Sequence, residues 1–128
     1  MNFLSKLFQR QPPIREPDEL ADFISERAAF VAQKGIYEYA RARAGHYAKV
    51  LFGEEGFKQA VEVSRWRAYP LGLAMVGEVA TVVLQETTAL ARVDVVRRAS
   101  ELTLSGFDRW DVPAALDEAT WRELRGEL

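Results

Sequence analysis

Residues Leu71 to Leu84, LGLAMVGEVATVVL, are apolar around nearly the whole helical wheel and carry one charge, Glu78. Such a segment is stable in water only when other parts of a fold surround it, so the remaining chain has to act as its wrapping. The valines at 76, 79, 82 and 83 favour a strand locally, but apolar and polar residues do not alternate, and fourteen residues is long for one strand. The segment therefore reads as a helix. On its own it falls short of the roughly 20 residues needed to cross a bilayer.

The flanking patterns are helical too. Pro17 followed by Asp18 and Glu19 marks a helix start, and Leu20, Phe23, Ile24, Ala28, Val31 and Ala32 repeat at spacings of three and four. Gly35 is expected to end or kink that helix, with a second running from Tyr37 to Phe52 and stopped by Gly53. A third helix is expected from Glu54 to Trp66, interrupted or kinked at Pro70. Val95, Ala99 and Leu102 form a later apolar stripe, which fits either a continuation of the central helix or a separate one. Asp117 starts a last helix that turns Trp121 and Leu124 inward. The expected fold is an all-α compact bundle of five or six helices around the apolar helix at 71–84.

The N-terminus is patterned separately. Phe3, Leu4, Leu7 and Phe8 make one face of a short amphipathic arm, and prolines at 12 and 13 turn the next stretch into an extended linker. Residues 1–13 are read as arm and linker, and 14–128 as a single helical domain. A helix this short is not stable alone in water, so the arm needs a surface to fold on: its own core, a second subunit or a bilayer. It lacks the apolar length and cleavage site of a signal peptide.

Composition narrows the chemistry. The chain has 128 residues, no cysteine and one histidine, which removes disulfides, thiolate catalysis and zinc sites built on cysteine or several histidines. A reducing cytoplasm suits such a chain. The net charge of -2 gives no overall basic field, so nucleic acid is not an expected partner. The excess of arginine over lysine is that of a GC-rich bacterial genome. No P-loop, dinucleotide fingerprint, nucleophile elbow, HExxH or EF-hand pattern is present, which disfavours a familiar hydrolase, kinase, dehydrogenase or metalloenzyme and implies no cofactor.

Three polar groupings stand out. Tyr39, Arg43 and His46 follow one another at spacings of four and three, which on one helix sets an orienting hydroxyl, an anion-binding fork and a proton carrier on one stripe. Glu78, inside the apolar segment, is expected to pair with Arg41, Arg43, Arg65 or Arg67, because an unpaired buried carboxylate is costly. Arg65 and Arg67 flank Trp66 and precede Tyr69, a cation and aromatic interleaving that an amphipathic helix end explains equally well. Between Arg27 and Arg67 eight basic residues face four acidic ones, a balance of +4, and from Ala99 onward three face seven, a balance of -4. Such patches attract each other within a fold or between copies.

The leading expectation is a non-catalytic helical protein-interaction domain that associates with itself or another protein. One alternative is a small-ligand domain holding an anionic metabolite with Tyr39, Arg43, His46 and Arg65, and Glu78 behind them. Another is peripheral membrane attachment through residues 1–10.

Overall fold

A computed structural model describes residues 13–128, and these form helices and connections without a strand. Four helices make up the fold: α1 (Pro17–Ala44), α2 (Glu55–Thr87), α3 (Arg92–Asp108) and α4 (Glu118–Gly126). A 3₁₀ turn (Gly45–Tyr47) and a single α turn (Ala48–Leu51) join α1 to α2. The fold class is thus all-α as expected, with four helices among the described residues in place of five or six. The arm residues Phe3, Leu4, Leu7 and Phe8 lie outside the described residues.

The smaller count has local causes. α1 begins at Pro17, where the Glu19 carboxylate accepts the backbone N–H groups of Arg15 (2.9 Å) and Glu16 (3.2 Å). It then runs through Gly35, whose position is open and makes no demand for a turn conformation. The break falls at Gly45 instead, which takes φ 56° and donates its N–H to the Arg41 carbonyl. α2 likewise continues through Pro70, which is buried, so the helices expected on either side of that proline are one element of 33 residues. At its far end Thr88 to Ala91 separate α2 from α3, resolving the 71–104 stretch into two helices.

α1 and α2 form an antiparallel hairpin. Its tight end is closed by Tyr37 stacked on Phe52 (4.8 Å) and Phe57 edge-on to Phe52 (5.0 Å). Small residues set the close approach along its length: a Cβ added at Gly72 would lie 2.9 Å from the Ala28 carbonyl oxygen. α3 runs back along α2, with Gly77 against Thr103, and crosses α1 where Gly106 meets Ala21 and Ser25. α4 opens with Asp117 accepting the Thr120 N–H at 2.7 Å and lays Trp121 and Leu124 on the end of the bundle.

The core gathers where all four helices meet. Ala21, Ile24 and Ala28 of α1 pack with Tyr69 and Leu73 of α2, Leu102 and Phe107 of α3, and Trp121 of α4. Phe107 stacks on Trp121 at 4.3 Å, and Trp66 packs edge-on against Trp110 at 5.2 Å. Trp110 closes this cluster from the loop after α3, its Nε1–H donating to Ser25 Oγ (2.8 Å) and Tyr69 Oη (2.9 Å).

The apolar segment is not wrapped on all sides. α1 covers one flank of α2 and α3 covers another, burying Tyr69, Gly72, Leu73 and Gly77. The third side is open, with Leu71 66%, Met75 54% and Val79 64% exposed. Two long neighbours cannot enclose a rod of about 50 Å.

Candidate functional site

The five polar candidates do not form one site. Tyr39 and Arg43 are exposed near the C-terminus of α1. His46 is exposed in the 3₁₀ turn beyond Gly45, so the helical screw that would carry it onto their stripe is broken between Arg43 and His46. Arg65 lies on α2, in a salt bridge to Glu62 at 3.3 Å with its guanidinium over the Trp66 ring at 4.7 Å. It lines a cavity of about 80 Å³ with Ala32, Gln33, Tyr69 and Trp110. Its Nε is buried without a hydrogen-bond partner and lies in the guanidinium group that covers the indole face.

Glu78 corrects the expectation of a buried ion pair. It is exposed, on the wall of a groove of about 210 Å³ between α2 and α3 that Gly77, Thr81, Ser100 and Thr103 also line. Arg65 and Arg67 precede it on the same helix by 13 and 11 residues, roughly 20 and 16 Å of axial rise, so neither reaches it. Arg41 and Arg43 belong to the hairpin's closed end, farther still along α2. Water solvates this carboxylate, and the helix register is set instead by the close contacts at Gly72 and Gly77.

Among the described residues no three of His, Cys, Asp and Glu gather as an ion-holding group. The buried polar network centres on Tyr69, whose hydroxyl shares a hydrogen bond with Ser25 Oγ (2.9 Å) and accepts from Trp110. Burial pushes the phenol above its ordinary pKa, against the opposing effect of those two hydrogen bonds. Bonded to a serine hydroxyl and an indole N–H inside an aromatic cluster, this phenol ties α1, α2 and the loop after α3 together.

Among the described residues, the surface left exposed along α2 is apolar. Leu71, Met75, Val79, Val82 and Val83 are all at least half exposed on α2, and Leu90, Val93 and Val96 are exposed around the start of α3. Positions 71, 75, 79 and 82 recur at spacings of four, four and three, which is one face of a helix. α3 is antiparallel to α2 with Gly77 beside Thr103, a register that sets Val96 level with Leu84 and extends the apolar surface across both helices. α2 is also the most apolar long helix, and most of its apolar stretch is not buried. By length and composition alone it is the one helix among the described residues long and apolar enough to cross a bilayer, because it extends well beyond the fourteen residues of the apolar segment.

These residues were not legible from sequence as a surface. They were visible as part of the apolar segment, but a segment greasy all round does not announce which side its neighbours leave bare. Comparison with known proteins finds no matching family model, no similar curated protein and no similar solved structure.

Proposed function

We propose that this chain is a non-catalytic helical interaction domain that self-associates through the open apolar side of α2 and α3. The observation that carries the reading is the run of five large aliphatic side chains on α2, each at least half exposed, continued by Leu90, Val93 and Val96. Aliphatic side chains scattered singly on a surface are ordinary, whereas a continuous patch of this extent marks an interface. The absence of cysteine suits the cytoplasm as the place where it acts. Light scattering tests the proposal: the full chain has a mass above that of one copy, and Val79→Glu returns it to the monomer. A monomeric mass for the unaltered chain at every concentration contradicts it.

The hydropathy of α2 favours a second reading, in which the same side rests on a bilayer. Glu78, Glu86 and Asp94 are on these two helices near the open side, and carboxylates there repel an anionic lipid surface. Cosedimentation with anionic vesicles that disappears in Val79→Glu would support this reading instead.

A further inference from the structure

We infer that the occupant of the open side is a second copy of this chain, with the two α2 helices antiparallel about a two-fold axis near the level of Gly77. This rests on the self-association reading and adds to it the partner and its orientation. The extent of the surface argues for a second copy: the exposed aliphatic residues from Leu71 to Val96 leave roughly 700 Å² open, close to the about 800 Å² that each partner gives to a standard interface. A two-fold pairing buries the same patch on both copies and so needs no other complementary surface.

The charges along α2 argue for the orientation. Exposed Arg67 stands just before the apolar run and exposed Glu86 just beyond it, so its two ends carry opposite charge, while Glu78 is level with the axis and lies beside its own copy. Antiparallel pairing brings the basic end of one helix level with the acidic end of the other, and it opposes the two helix dipoles. Parallel pairing stacks like ends together. An axis near the level of Gly77 sets Leu71 across from Val82 and Met75 across from Val79, all on the one face, so aliphatic side chains meet aliphatic side chains along the contact.

The chain contains no cysteine, so introduced thiols report without background. Leu71→Cys and Val82→Cys are made in the full chain and oxidised separately and as a mixture. The mixture gives a covalent dimer joining one variant to the other, and each variant alone gives at least tenfold less, because its two thiols sit roughly 15 Å or more apart along the axis. Efficient self-cross-linking of Leu71→Cys overturns the orientation by showing parallel pairing. A dimer by light scattering with no cross-link in the mixture overturns the interface while leaving self-association standing, whereas a monomeric mass removes both. A bimane label on Val79→Cys shifts to the blue as the protein is concentrated without lipid. A shift that requires phosphatidylglycerol vesicles assigns the face to a bilayer and overturns the proposal.

Discussion

At the scale of single residues, the polar groups that matter most are those that hold the bundle end together. Tyr69 is 1% exposed, and its hydroxyl ties α2 to Ser25 on α1 and to Trp110 in the loop after α3. Tyr69→Phe keeps the ring stacking and leaves Trp110 bonded to Ser25, so it is expected to cost about 1 kcal/mol in urea unfolding at fixed protein concentration. Tyr69→Ala also removes the packing against Phe107 and Trp121 and costs several times more. Three carboxylates make stability depend on pH, and the first is Glu19, which the Arg15 and Glu16 N–H groups hold below its ordinary pKa. The hydrogen bonds from Arg125 hold the Asp108 carboxyl below its ordinary pKa, and the Thr120 N–H does the same for Asp117. A depressed pKa in the folded state adds stability that is complete above the ordinary carboxylate range, near pH 4, and is lost as pH falls through the lowered values. Urea midpoints should therefore decline below about pH 4, and Asp117→Asn together with Asp108→Asn should make that decline shallower, leaving the part due to Glu19.

At the scale of the helices, glycines separate two demands. Gly72 sits where α1 and α2 approach most closely, and a Cβ there meets the backbone carbonyl of Ala28 at 2.9 Å, an atom that moves only with its helix. Gly72→Ala is expected to lower stability by about 1–3 kcal/mol although alanine is the better helix former. Gly35 is the opposite case, with nothing within 4 Å of an added Cβ, so Gly35→Ala should raise stability by up to about 1 kcal/mol. The same contrast shows how far the chain is legible as a sequence. The apolar stripe of α1, the Asp117 cap and the inward-facing Trp121 and Leu124 arise from spacing and capping chemistry, which are local. Whether a glycine ends a helix is decided by the backbone angle its surroundings require, and Gly35 and Gly45 do not differ in that respect until the hairpin is formed. Pro70 is similar: a missing N–H kinks or ends a helix in isolation, yet Pro70 is buried within α2 and the helix runs on through it.

At the scale of the whole molecule, the chain builds a bundle whose core lies at the junction of four helices and whose longest helix stays bare on one side. The all-helical class was legible because apolar spacing of three and four is a property of the sequence itself. The bareness was not, because it depends on how many elements lie beside α2. The polar stripe of Tyr39, Arg43 and His46 dissolved for a related reason: a single positive φ at Gly45 rotates the residues beyond it out of register with α1. Self-association is the central claim, and Met75 offers a direct probe, since it is one of two methionines and is 54% exposed in the middle of the bare side. A dilution series followed by methyl NMR of methionine-labelled protein, with a soluble paramagnetic agent present, reads its environment at each concentration. The account predicts that the Met75 methyl signal shifts and becomes shielded from the agent as concentration rises; an unchanged position and undiminished broadening across the series would contradict it.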